Sequence, residues 1–318
     1  MIIEKYNLNE KITFKDQEKI WINTNSEKNI LQLARKNTNV MEIYKELIKN
    51  DYILYLHKDK ISRFCKREHV QHLFKGLDLK KYNNIYYRLH KPQGRKVNDK
   101  TPKKLIVIFA RMPGADMYDN AKIPERMFPP SFTNIERSLV KNVYIMRIMD
   151  LNVSHGSFYV NTINNPTYEE DIQSAIKYTM NEIGIEKENV VLYGFSRGGS
   201  GALYHGALND FKTLAVDPLL NIGGKLSSNN RRLLLGLRKD DVTPDINSYL
   251  DKSNEFKKVI ICCENITLYY EQIKKIDNKK VMIINMKDDK ITSHPEVSPN
   301  TVPEQLMILN NLLSGISV

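Results

Sequence analysis

From residue 85 onward the sequence repeats one device: a short apolar run, then a helical segment, then another run. The runs are IYYRLH (85–90), KLIVIFA (104–110), VYIMRIMD (143–150), VVLYGF (190–195), TLAVDP (213–218), KVIICC (258–263) and VMIINM (281–286). Several lack polar/apolar alternation, the pattern of strands buried on both faces of a parallel sheet. Between them TYEEDIQSAIKYTMNEIG carries a Thr167-x-x-Glu170 capping box and Gly184 as a stop, and VPEQLMILNNLL is amphipathic. Strands alternating with helices predict a doubly wound, mostly parallel α/β domain over 85–318.

Residues 1–84 read differently, as a small basic α+β region. Two short amphipathic helices are expected over 28–50, broken at Asn37 to Asn39, then a strand with its turn at YILYLHKDK (52–60). A basic helical piece, ISRFCKREHVQHLFKGL, should stop near Gly76. The net charge of +11 lies toward the front end of the chain: residues 1–100 hold 22 Lys+Arg against 12 Asp+Glu, whereas 101–318 hold 26 against 25. Such asymmetry fits an anionic partner or a solvated face. Zinc-finger spacing and glycine-aromatic RNA-binding runs are missing, which argues against nucleic acid. His69 and His72 have no companions that would make them metal ligands. KPQGRKVNDKTPKK (91–104) reads as a basic loop between two strands. No run of about 18 uncharged apolar residues occurs, the start has no apolar signal core, and Cys65, Cys262 and Cys263 suggest no disulfide framework. The expectation is a cytoplasmic protein, free or peripheral at the inner face of the membrane.

Chemistry enters at Gly194-Phe195-Ser196-Arg197-Gly198, a Gly-x-Ser-x-Gly pattern with a strand before it and a helix after. In a nucleophile elbow the serine occupies a strained conformation, and small flanking residues let strand and helix close in so that Oγ stands exposed. The hydroxyl needs a base, and two histidines follow it. His205 lies within the expected elbow helix and cannot fold back, which leaves His294. The acid should leave a strand end between them: Glu264 after KVIICC is favoured, with Asp217 after TLAV as the alternative. The backbone N–H groups of Arg197 and Met112 are the expected oxyanion donors, because Pro113 has none to give. The Arg111 and Arg197 guanidinium groups would suit a phosphate or carboxylate on the substrate, unless they pair with Asp116 or Asp150.

FARMPGADMYDN, MDLNVSHGSFYVNT, YGFSRGGSGALYHG, AVDPLLN and the spacing from Glu264 to His294 resemble capsular polysaccharide biosynthesis proteins of the XcbB/CpsF type. That family is related to capsule O-acetyltransferases of α/β-hydrolase fold and to the acetyltransferase-like component of the accessory secretion system. The resemblance covers about residues 85–318 and implies an α/β-hydrolase-like fold. It also implies a triad whose acid precedes the histidine by thirty residues, which again favours Glu264. The implied activity is serine-dependent O-acyl transfer, with acetyl-CoA as donor, onto a hydroxyl of an anionic or phosphate-linked surface glycan, alongside other capsule assembly proteins. Asp150, His155, Tyr159 and Asn161, which follow a strand end, would then bind sugar. A carbohydrate esterase using the same triad and a non-catalytic scaffold of an assembly complex are the competing readings.

Overall fold

The computed structural model describes residues 2–93, 96–222, 234–252, 255–277 and 279–316; positions 94 and 95 of the expected basic loop lie outside them. The front part is a four-stranded sheet of β1 (Ile3–Asn7), β2 (Lys19–Asn23), β3 (Tyr52–Lys58) and β4 (Ile61–Lys66), in the order β1-β2-β4-β3. Helices α1 (Ile30–Ala34) and α2 (Thr38–Lys49) cross it, each capped by the asparagine that precedes it, Asn29 and Asn37. One expectation is corrected here. ISRFCK is strand rather than helix, antiparallel to both β2 and β3, and only Arg67–Phe74 coil, as a 3₁₀ turn. Burial explains this, because Ser62 and Phe64 point inward with the period of two that a strand imposes.

The second sheet has eight strands: β5 (Lys80–Tyr82), β6 (Ile85–His90), β7 (Lys104–Phe109), β8 (Val143–Ile148), β9 (Val190–Phe195), β10 (Lys212–Val216), β11 (Lys258–Cys262) and β12 (Met282–Asn285). Their order is β12-β11-β10-β9-β7-β8-β6-β5, parallel from β12 to β8, with β6 antiparallel to β8 and β5 to β6. The sheet thus starts at Lys80, ahead of the expected position 85. Helices α3 (Ile123–Met127), α4 (Tyr168–Ile183), α5 (Arg197–Leu208), α6 (Thr243–Lys252), α7 (Thr267–Ile273), α8 (His294–Asn300) and α9 (Val302–Ser314) lie in the connections.

Alternate residues of the central strands bury against different layers. Ile106, Ile108, Val191 and Tyr193 meet Ile308 and Leu309 of α9, while Leu105, Val107, Phe109 and Leu192 meet Ile172 and Ile176 of α4. Each such side chain, taken wholly out of water, contributes roughly 1.5–3 kcal/mol before entropy is counted. Helix α4 ends at Gly184 in the left-handed region, as its glycine suggests, but the Thr167 side chain forms no cap. The Asn161 side chain takes that part, accepting the Glu169 N–H at 2.8 Å.

The two sheets share one apolar core. Ile20, Ile22, Leu31, Tyr44 and Phe64 of the front part pack in the same cluster as Ile106, Ile135 and Val153. Polar bonds stitch the seam: Tyr44 Oη to Ser154 Oγ at 2.7 Å, Arg126 Nη2 donating to the Leu54 carbonyl at 2.8 Å, and Asn29 Nδ2 donating to the Asp119 carbonyl at 2.8 Å. Among the described residues no helix is long and apolar enough to cross a membrane, and no group of three His, Cys, Asp or Glu residues could hold a metal ion.

Candidate active site

Ser196 follows the last residue of β9 and precedes the first of α5, with φ 55° and ψ −120°. An L-residue rarely takes that conformation, and the surroundings over-determine it here. The Ser196 N–H donates to the Val216 carbonyl at 3.0 Å, which ties the turn to β10. A Cβ on Gly194 would strike the Gly198 carbonyl, and one on Gly198 would strike the Phe109 carbonyl. Both glycines of the pattern are therefore required by close backbone approach, with the serine held between them.

From Ser196 a hydrogen-bond relay runs through two further side chains. His294 Nε2 lies 2.7 Å from Ser196 Oγ, and His294 Nδ1 lies 2.6 Å from Asp217 Oδ2. Strand register brings the acid there: Phe195 pairs with Val216, so the residues that follow, Ser196 and Asp217, emerge side by side at neighbouring strand ends. The acid favoured from the sequence is thereby corrected. Glu264 stands one strand further out, beyond the end of β11, where it is exposed and accepts from Asn285 Nδ2 at 2.7 Å. Burial raises the Asp217 carboxyl above the usual carboxylate range, while the hydrogen bond and charge of His294 oppose the rise.

His294 is held as well as bonded. Its ring stacks on Tyr269 of α7 with centroids 4.1 Å apart and planes 3° apart, and Phe195 covers the other side at 5.1 Å. Glu296 fixes the approach to α8, accepting the N–H groups of Thr292 and Ser293 at 2.8 and 2.9 Å. The run Ser293-His294-Pro295-Glu296 already carries this capping pattern, whereas nothing in the sequence marks Tyr269.

The two arginines at the site have different tasks. Arg197 is fully buried: Nε donates to the Ala110 carbonyl at 3.2 Å, Nη2 to those of Arg111 and Met127 at 2.7 and 3.2 Å, and Nη1 to that of His155. It also pairs with Asp150 at 3.7 Å. Its side chain is thus no substrate ligand but a clamp on the loop after β7, which correction leaves its backbone N–H at the start of α5 as an oxyanion candidate. In that loop the Arg111 N–H is taken by Ser131 Oγ at 3.2 Å, and Met112 comes next, ahead of the donorless Pro113. The Arg111 side chain is half-buried and, with Phe195 and Pro295, lines a cavity of about 340 Å³ beside His294.

The expected sugar-binding set does not face this cavity. Asp150 is fully buried and accepts the N–H groups of Ser157 and Phe158 at 3.0 and 2.9 Å. Tyr159, also fully buried, donates to the Ala110 and Ile148 carbonyls. His155 bonds the Tyr118 carbonyl at 2.7 Å and stacks on the Tyr118 ring, while Asn161 caps α4. The loop folds inward at positive φ for Val153, Phe158 and Tyr159, so its polar groups serve the backbone instead of the surface.

Residues 138–295 match the family model described as the accessory Sec system GspB-transporter, a span that contains Ser196, Asp217 and His294. An accessory Sec system protein of Staphylococcus aureus is 27% identical over 178 residues, which are 55% of this chain and 33% of that protein. The chain thus spans about a third of the length of this curated relative. Among solved structures, the capsule O-acetyltransferase of Neisseria meningitidis serogroup A superposes with a TM-score of 0.50 at 14% identity, over 72% of this chain and 94% of that one. FphF, a fluorophosphonate-binding serine hydrolase of Staphylococcus aureus, does so with a TM-score of 0.50 at 18% identity, over 73% and 96%. The chain has an α/β-hydrolase-like fold.

Proposed function

We propose that this protein is a serine-dependent O-acyltransferase that moves an acetyl group from acetyl-CoA to a hydroxyl of an anionic surface glycan. The relay from Asp217 through His294 to Ser196 carries the reading. In the first half-reaction Ser196 Oγ attacks the thioester carbonyl and its proton passes to His294 Nε2. The carbonyl oxygen becomes an oxyanion, which the backbone N–H groups of Arg197 and Met112 would stabilise. Collapse expels the thiolate, which takes the proton from His294. The acceptor hydroxyl then loses its proton to the same nitrogen, attacks the acyl-enzyme and returns Ser196 to its starting state. Asp217 holds the ring with Nε2 toward Ser196 and stabilises the imidazolium.

The acceptor class is supported by the accessory Sec match across all three relay residues, by the fold shared with a capsule O-acetyltransferase, and by the basic front part. Intact mass spectrometry after incubation with acetyl-CoA or p-nitrophenyl acetate tests the chemistry. One acetyl adduct should appear on Ser196 and vanish in Ser196→Ala; an unmodified wild-type protein would refute an acyl-enzyme. NMR of the products with an acceptor glycan separates transfer from hydrolysis.

A further inference from the structure

A second cavity, of about 460 Å³, opens behind the loop that follows β7. Its lining combines apolar Ile108, Ala110 and Phe128 with basic Arg88, His90 and Arg147 and acidic Glu125 and Glu136. Ser131 lines both this cavity and the one beside His294, so the two meet at that residue.

Arg88 has few direct partners: one hydrogen bond, and a cation–π contact of its guanidinium with the Phe128 ring at 5.8 Å. Arg88 and Arg147 are direct cross-strand partners, a like-charge pairing that disfavours the sheet unless an anion joins it. The Arg147 guanidinium is committed to the Ser131 and Phe132 carbonyls. Arg88 donates only Nε, to the Asp78 carbonyl at 3.2 Å, and its two Nη groups have no hydrogen bond among the described residues. His90, two residues along β6 on the same face, likewise has no hydrogen bond among them; burial and the two arginines lower its pKa, so it is neutral with one N–H to offer. Glu125 and Glu136 also line the cavity, and the Glu136 charge acts on Arg147 and His90, but no salt bridge among the described residues joins either glutamate to Arg88 or Arg147. Glu125 is exposed at the rim.

We infer that this cavity holds the phosphate-bearing arm of the acyl donor, with phosphate at Arg88 and His90, the apolar part of the arm along Ile108 and Ala110, and the thioester reaching Ser196 past Ser131. The inference rests on the acyl-transfer reading and names where its donor binds. An arm of this kind carries methyl and methylene groups between its amides and ends in an anion, a mixture that the apolar and basic residues of the lining can both serve. Arg88 supplies two donors in one plane, the geometry that suits phosphate oxygens.

The test uses the whole chain. CoA binding is measured by calorimetry for wild type, Arg88→Gln with His90→Gln, and Arg88→Lys. In parallel, kcat/KM is measured for acetyl-CoA and for S-acetyl-N-acetylcysteamine, a thioester without phosphate. Loss of two phosphate contacts should weaken CoA binding by about tenfold or more and lower the ratio of the two kcat/KM values by a similar factor. Arg88→Lys, which keeps the charge but not the planar pair of donors, should recover only part of the ratio. An unchanged CoA Kd overturns the inference, as does an equal fall for both thioesters; so does a KM change confined to a phosphorylated acceptor, which would assign the anion to the glycan. Hydrolysis of p-nitrophenyl acetate by wild type reports on the Ser196 relay separately, so a failed relay and a failed donor site give different results.

Discussion

Asp217 reaches His294 because of a register that the sequence does not print. Two strands pair in parallel so that Phe195 faces Val216, and the next residue of each strand falls into the same small space. Glu264 has the better spacing along the chain, but one further strand and an exposed turn separate it from the ring. Ser196 and His294 are legible as candidates because local signals mark them: glycines around a strand-to-helix turn in one case, and a scarcity of downstream histidines in the other. The expected consequences are sharp. Ser196→Ala and His294→Ala should each lower kcat on the order of 10⁴- to 10⁶-fold with the melting temperature little changed. Asp217→Asn should cost on the order of 10⁴-fold, since it offers the ring the wrong hydrogen-bonding partner. Glu264→Gln should stay near wild type. Steady-state kinetics on an activated ester decides among these, and a crippled Glu264→Gln with an active Asp217→Asn would reverse the acid assignment.

At the scale of elements, strands buried on both faces announce themselves through unbroken apolar runs, and β7 to β11 are readable for that reason. β1, with the sequence IEKYN, is half exposed and carries no such run, and β4 mixes Arg and Lys with its inward Ser62 and Phe64, so composition hides both. The inward fold of 150–161 is equally silent in sequence, since its polar side chains look like ligands until the backbone claims them. Helix α5 packs against α4 through a buried pair: the Gln173 amide donates to His205 Nδ1 at 2.7 Å, and His205 Nε2 donates to the Tyr159 carbonyl at 2.8 Å. The first bond requires an unprotonated Nδ1; the second favours the charged ring, but burial outweighs it and lowers the His205 pKa from 6.5 to about 4. Between those values the unfolded chain binds the proton that the folded one refuses. Stability therefore falls as pH drops from about 6.5 toward 4, by up to about 3 kcal/mol, and this part is intact above 6.5. Urea titrations at pH 7, 6 and 5 should show that His205→Gln is less sensitive to acid than wild type; parallel pH profiles would refute it. Gly198→Ala, which drives a methyl into the Phe109 carbonyl, should cost about 1–3 kcal/mol in the same assay.

For the whole molecule, the basic front part shares a buried apolar cluster with the rest. Its Ile20, Ile22, Tyr44 and Phe64 complete the core that Ile106 and Val153 begin, and Arg126, fully buried, donates to a carbonyl of the front sheet. Deleting residues 1–79 should therefore expose that core and yield aggregated protein. Size-exclusion chromatography and thermal melting check this, and a folded, monodisperse remainder would show the front part to be separable. Charge asymmetry in the sequence reveals where this region differs but not that it shares a core, because shared burial appears only once both sheets are in place. The relay spans an equally long stretch of chain: Ser196 and His294 are 98 residues apart, and Asp217 and His294 are 77. At ordinary synthesis rates that separation takes about 5–20 s to translate. During this interval the elbow exists without the histidine it bonds, so the relay can form only once the polypeptide beyond β12 has emerged and docked.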